Sequence, residues 1–383
     1  MTALFQNYAR RPIAIEKGEG TIVYDTNGKK YLDFTSGIAV CSLGHANPII
    51  VKAIQEQSEK LWHISNLFES PGQVKLAETL VKDSHLSHAF FSNSGAEANE
   101  AAIKLARKHT GKHHIIVFEQ SFHGRTFGAM SATGQDKVRN GFGPLVSQFT
   151  TLPYNDVEAL KGAVDESVAA IMLELIQGEG GVNPVTEEFA QAIQALCDEY
   201  GILLIVDEVQ TGIGRTGTKF AYEQTILKPH IVSMAKGLGG GFPIGGILGV
   251  AELFNTFSAG THGTTFGGNP LAVAVAQAVT NTVFEPAFLD AVKEKSAYFV
   301  EKLTTELPEI FTIQGKGLML GLNCGGVDVA PLVSKLDEAG LLTVAAGPKV
   351  IRLLPPLTVS LTEIDEAVAI LKQVLVTEQV SQA

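Results

Sequence analysis

Residues 202–241 read ILLIVDEVQTGIGRTGTKFAYEQTILKPHIVSMAKGLGGG, and this stretch decides the fold. The run Ile202–Val206 is apolar without alternation and ends in two acids, Asp207 and Glu208. A short run that is apolar on both faces fits a strand buried on both sides, as in a parallel sheet. A second run, 230–235, ends in Lys236, and six glycines follow within residues 237–246. In an open α/β sheet the carboxyl ends of the strands face the ligand crevice. The two runs therefore predict an acid and a lysine delivered to one cavity. A buried carboxylate there needs a cationic partner. Lys236 is the only Lys or Arg between Lys228 and Lys293. An amine in so apolar a setting is desolvated, its pKa falls, and it becomes a candidate for a Schiff base. The plainer alternatives are a solvated loop acid and a lysine lying along the surface.

Working outward, residues 113–118, 169–176 and 245–250 are further buried-strand candidates. Helical stretches lie between the strands. One spans 186–200, opened by Thr186, with Phe189, Ile193, Leu196 and Tyr200 on one face and Gly201 as its stop. Strands alternating with helices imply a mostly parallel α/β sheet. Residues 13–34 read differently, as short β-like runs with a hairpin signal at Asp25-Thr-Asn-Gly28. After about residue 275 come a helix (288–305), short strands and a last helix. That helix opens on Ser360-Leu-Thr-Glu363, a capping box, with Ile364, Ala367, Leu371 and Val374 on its apolar face. The chain thus divides into a central α/β domain and a smaller α+β domain.

The composition agrees. The 383 residues are 45% apolar and only 18% charged, which excludes a disordered chain. The 29 basic and 40 acidic residues give a net charge of -11, against the basic footprint of a nucleic-acid binder. Three cysteines, Cys41, Cys197 and Cys324, fit a reduced cytoplasm better than a disulfide scaffold. The N-terminus shows no signal-peptide pattern and no stretch reads as a membrane span. Residues 237–284 contain one charged residue, Glu252. A solvated surface would carry more, so burial in a subunit interface around a site is expected.

Ser92-Asn-Ser94-Gly95-Ala96-Glu97 precedes an Ala-rich helix, Ala96–Lys108. Small residues there leave free N–H groups at the positive end of the helix, which suits a phosphate. An ordinary cap by Ser94 is the alternative. Gly212-Ile-Gly214-Arg-Thr-Gly217 matches a dinucleotide-binding glycine pattern, but residues 224–251 contain no acid to follow it. Ser233 to Lys236 matches one motif of the penicillin-binding serine hydrolases, without its companions. His109, His113 and His114 cluster, but Gly111 intervenes and no HExxH occurs, so no metal site is expected.

An acid and a lysine at strand ends, joined to a phosphate-type helix start, are the parts a pyridoxal phosphate enzyme needs. The chain resembles the fold-type I, class III (ω-type) aminotransferases essentially end to end. The resemblance rests on SGAEANEAAIKLAR (94–107), FHGRT (122–126), ELIQGEGG (174–181), DEVQTGIGRTG (207–217), AKGLGGGFPIGG (235–246), HGTTFGGNPLA (262–272) and IRLLPPL (351–357). It implies a large domain, residues 51–274, with a mostly parallel seven-stranded sheet. The small α+β domain would come from both termini, residues 1–50 and 275–383. It implies pyridoxal 5'-phosphate as cofactor, a cytoplasmic homodimer, small amino and oxo acids as partners, and neither nucleic acid nor membrane.

Family roles carry over at matching positions. Lys236 would hold the cofactor and move protons, and Asp207 would pair with its ring nitrogen. Ser94, Gly95 and Ala96 would bind the phosphate, joined by Thr265 from the partner subunit. Phe122 would stack on the ring and Gln210 would approach its phenolic oxygen. Arg125, Arg352, Glu179 and Thr264 would bind substrate, with Glu179 switching on and off Arg352. Glu174 matches a second acid of the same pocket. The opening LDFTSGIAVCSLGH (32–45), with HISNLF (63–68) and AAGPKVIRLLPPL (345–357), points to members that act on acetylornithine, with 2-oxoglutarate as acceptor. Members acting on free ornithine carry a tyrosine in the opening motif, and residues 35–45 contain none. Free ornithine, succinylornithine, succinyl-diaminopimelate and 4-aminobutyrate are the alternative donors.

Overall fold

The computed structural model describes residues 3–382. Among these, seven strands form the main sheet: β1 (His88–Ser92), β2 (His114–Phe118), β3 (Phe149–Leu152), β4 (Val168–Leu173), β5 (Leu203–Asp207), β6 (Ile231–Met234) and β7 (Gly245–Gly249). Their spatial order is β1-β7-β6-β5-β4-β2-β3. The pairs β6/β5, β5/β4, β4/β2 and β2/β3 are parallel, and only β7 runs against its neighbours. The register sets Asp207 beside Ser233, three residues before Lys236.

The unalternating strands are buried on both faces. In β5, Leu204 and Val206 enter one core cluster while Leu203 and Ile205 enter another. In β4, Ile171 and Leu173 divide from Ala170 and Met172 in the same way. Helix α1 (Gly95–Thr110) covers the second face with Ala98, Ala101, Ala102 and Ala106, whose small side chains let it approach closely. Helix α2 (Glu187–Tyr200) covers the first face through Phe189 and Ile193. Its cap is the expected Thr186, and Gly201 closes it in the left-handed conformation, at φ 61°.

Both termini build the smaller part. The strands Ile15–Glu19, Ile22–Asp25 and Lys30–Asp33 form an antiparallel ladder that Leu341–Leu342 joins in parallel. A second sheet pairs Met319–Asn323 with Thr312–Lys316 on one side and with β8 (Val350–Leu353) on the other. The last helix, α3 (Leu361–Gln382), opens on the expected reciprocal cap: Ser360 N–H donates to Glu363 Oε2 at 2.8 Å, and Glu363 N–H donates to Ser360 Oγ at 3.2 Å. The step from residue 274 to 275 lies inside the helix Pro270–Val283, which packs on the helices Pro48–Ser58 and Pro71–Val81.

The glycine pattern at 212–217 serves a different purpose from nucleotide binding. Gly214 and Gly217 stand at φ 81° and 91°, shaping a tight turn around the buried Arg215. The Arg215 guanidinium donates to the carbonyls of Leu318, at 3.0 Å, and Pro355, at 2.5 Å, joining the two parts of the chain. Burial, with no acidic partner among the described residues, lowers its pKa to about 9. The uncharged stretch 237–284 also has an internal cause. Strand β7 is wholly buried, and the helix Pro270–Val283 buries most of its apolar residues within the same chain. What remains for an interface is the exposed part between them, including Phe254 and Phe266. Among the described residues no single helix is long and apolar enough to cross a membrane.

Candidate active site

Strand ends and turns meet at a cavity of about 420 Å³ lined by Ser94, Gly95, Ala96, Phe122, Asp207 and Lys236, among others. Lys236 sits at φ 42°, a left-handed conformation that a side-chain-bearing residue adopts only under constraint. Gly237, next to it, lets the chain pass close to Ser42, since a Cβ there would lie 2.6 Å from Ser42 Oγ. Burial lowers the pKa of the Lys236 amine and Arg352 lowers it further, while Glu179, Asp207 and Glu174 oppose them. The lysine is thus set in the cavity wall rather than along the surface.

Asp207 is 3% exposed and its carboxylate is fully held. Oδ1 accepts from Val209 N–H at 3.0 Å. Oδ2 accepts from Asn99 Nδ2 at 2.8 Å and pairs with His123 Nδ1 at 2.7 Å. Burial works against a charge on His123, but Asp207 and Glu174 outweigh it and hold its pKa above the usual value. Glu174 accepts from the N–H groups of Phe122, at 2.9 Å, and Gly178, at 3.1 Å. Burial pushes Glu174 up to about 7 against the pull of His123. His123 and Asn99 were not singled out from the sequence, although both lie inside the quoted segments. A polar residue on the buried face of an alanine-rich helix is the signal that marks Asn99.

Helix α1 begins at the cavity. Ser94 Oγ caps Glu97 N–H at 3.2 Å, leaving the first N–H groups, those of Gly95 and Ala96, on the cavity wall without intrahelical acceptors. Gly95 is required there, because a Cβ would lie 2.8 Å from Val209. Gln210 also lines the cavity and links it to the small part of the chain: its Oε1 accepts from Arg352 at 2.8 Å. Arg352, on β8, pairs with Glu179 at 3.0 Å. Burial would raise the Glu179 pKa, but Arg352 and Lys236 outweigh it and lower it. The guanidinium of Arg352 is 1% exposed and its Nε finds no partner among the described residues. Arg125 lies at the exposed rim, 5.6 Å from the centre of the Phe122 ring, with no carboxylate partner among the described residues.

The two threonines stand apart from this lining. Thr264 Oγ1 accepts from Asn93 Nδ2 and from Gly267 N–H, both at 3.2 Å, so it touches the site through Asn93. Thr265 is exposed. His109 and His114 spend a ring nitrogen each on Thr256 and Thr150.

The donor set fits a phosphorylated aromatic aldehyde. It offers a desolvated amine for the carbonyl, a buried carboxylate for a ring nitrogen, unpaired helix N–H groups for a phosphate, and a guanidinium with an unpartnered Nε for a substrate carboxylate.

Residues 5–375 match the family described as Aminotransferase class-III. An acetylornithine aminotransferase of Bacillus cereus is 54% identical over 99% of this chain and 98% of its own length. The solved N-acetylornithine aminotransferase of Stenotrophomonas maltophilia K279a is 37% identical with a TM-score of 0.86, and the match covers 98% of each chain. An ornithine aminotransferase structure from Toxoplasma gondii, with partial occupancy of PLP at its active site, is 33% identical with a TM-score of 0.93, covering 100% of this chain and 94% of that one.

Proposed function

The chain belongs to the class-III aminotransferases, and from that premise we propose that it moves the terminal amino group of N2-acetylornithine to 2-oxoglutarate. The products are N-acetylglutamate 5-semialdehyde and glutamate, in arginine biosynthesis. The cofactor is pyridoxal phosphate. The observation that carries the reading is the pair Arg352–Glu179, set beside Lys236 and joined to the cavity through Gln210.

When bound, pyridoxal phosphate supplies an aldehyde carbon that carries the amino group and a ring that accepts the electron pair of the broken C–H bond. Lys236 would hold it by its amine, Asp207 would face its ring nitrogen, and Gly95 and Ala96 would hold its phosphate. His123 and Asn99 fix the rotamer of Asp207 through its Oδ2. Its lowered pKa makes the Lys236 amine easier to keep unprotonated, so that Nζ can take and return a proton. Arg125 binds the carboxylate of the incoming substrate at the rim. Arg352 serves both halves of the reaction: Glu179 pairs with it when the donor is bound and releases it to a carboxylate of the five-carbon diacid when the acceptor is bound. Glu179 meets the guanidinium through one nitrogen, and the unpartnered Nε leaves room for a substrate carboxylate to bind bidentately.

A homodimer in the cytoplasm is part of this reading, with Thr265 of one protomer reaching the phosphate of the other. Supporting it, Phe266 next to Thr265, and Leu67, Phe68 and Phe127, are large apolar side chains left exposed in the single chain.

The test is half-reaction spectroscopy on the holoenzyme with N-acetylornithine, ornithine and 4-aminobutyrate in turn. N-acetylornithine is expected to bleach the visible band of the bound cofactor with the highest efficiency. Faster bleaching by ornithine overturns the donor assignment. The Lys236→Ala protein is expected to lose the covalent cofactor band, and an unchanged spectrum refutes the role of that lysine.

A further inference from the structure

Four consecutive residues, Ser36, Gly37, Ile38 and Ala39, stand at φ 46°, 62°, 67° and 60°. Three of them carry side chains, and a left-handed turn costs an L-residue about 1–2 kcal/mol per position. Something must hold this turn. On one side Asp33 does: its Oδ1 accepts from Thr35 N–H at 2.9 Å, Thr35 Oγ1 at 2.6 Å and Ser36 N–H at 3.0 Å. Its other oxygen, Oδ2, pairs with His45 Nε2 at 2.7 Å. His45 is in turn fixed by a two-way backbone bridge to Gly20, at 2.8 and 3.0 Å. The Asp33–His45 pair therefore closes the loop that contains the turn.

That loop reaches three parts of the active site. Val40 lines the cavity. Ser42 packs on Gly237, next to Lys236, and its carbonyl accepts from Leu357 N–H at 2.8 Å. Ser36 Oγ donates to the carbonyl of Leu354 at 2.7 Å, two residues beyond Arg352. Asp33 and His45 themselves are not among the residues lining the cavity.

We propose that Asp33 and His45 are a positioning pair for amino-donor selection, closing the loop 33–45 so that its left-handed turn keeps Val40 against the carbon chain of the donor. The inference rests on the reading of the donor as the longer of the two substrates. The acceptor is held at its two ends by arginines and depends less on an apolar wall. A relaxed turn would therefore weaken the donor half-reaction and spare the acceptor half-reaction.

The experiment uses the holoenzyme and its His45→Phe and His45→Gln variants. Phe keeps a ring without a donor, and Gln keeps an N–H donor without the charge. Each half-reaction is followed separately by the cofactor spectrum, and amide hydrogen exchange is read over residues 36–41. In His45→Phe the donor efficiency should fall at least tenfold and the acceptor efficiency by less than threefold. The 36–41 amides should exchange at least tenfold faster. His45→Gln should restore the donor efficiency to within threefold of wild type. Equal losses in both halves, unchanged exchange, or no recovery with Gln each overturn the proposal. If His45→Phe does not fold, Asp33→Asn is read in the same two assays with the same expectations. If wild-type protein does not react with N-acetylornithine, the substrate assignment fails by itself, and the donor arm is run with the amine that does react.

Discussion

The strongest single-residue constraints lie where backbone meets backbone. A Cβ on Gly245 would overlap the carbonyl of Ser94, the residue that caps helix α1. Gly245→Ala should therefore destabilise the fold by about 1–3 kcal/mol. It should also weaken cofactor affinity by moving the helix start, measured by thermal melting and by titration of the apoprotein; unchanged affinity would detach that cap from the phosphate site. Glu208 offers a pH test away from the cavity. Burial raises its pKa from 4.5 to about 7, against hydrogen bonds from Thr211 and the N–H groups of Tyr222 and Ala221. The folded chain thus holds a proton that the unfolded chain has released between those values. The stability tied to that proton is complete below about 4.5 and is lost as pH rises to about 7. Glu208→Gln should flatten this decline by up to about 3 kcal/mol, read from denaturant curves at both ends of the window. At this scale the sequence was readable where charge interrupts an apolar run, as at Asp207 and Lys236. Arg352 and Glu179 lie 173 positions apart and only the fold unites them, so they came from the family resemblance rather than from spacing. His123 carries no such contrast, Asn99 only that of a lone polar residue on an alanine-rich face, and their importance shows once Asp207 is seen between them.

Helices announced their ends because caps are local chemistry. Thr186, Ser360 and Glu363 all make the bonds that their spacing implies. Replacing Thr186 with Ala removes the acceptor for Phe189 N–H and should lower stability by about 1 kcal/mol. A matched chemical denaturation curve checks this, and a loss under 0.3 kcal/mol would mean that water caps α2 equally well. Strands were legible in proportion to their burial. The five central candidates were found, but β3 has no fully buried residue and carries two threonines, and β1 begins at an exposed histidine. Edge strands are half-solvated, so their composition approaches that of loops. The uncharged run 237–284 gave a true signal of burial but not its agent, because composition alone does not distinguish a neighbouring strand from a neighbouring subunit.

For the molecule as a whole, the apolar side chains left outside the core predict association. The protein should sediment at twice the chain mass at micromolar concentration, and a stable monomer there would refute the subunit-shared site. The sequence pattern changes near residues 50 and 275, and the helix Pro270–Val283 spans the second of these points. Arg215 grips Leu318 and Pro355 by their carbonyls, which every amino acid possesses. The guanidinium thus asks nothing of the side chains at Leu318 and Pro355, whereas Gly317 beside them is fixed, since a Cβ there would collide with the Arg215 carbonyl oxygen. Where the backbone path and Gly317 are kept, side chains around Arg352 can change, and substrates with them, while the grip of Arg215 on the small part holds.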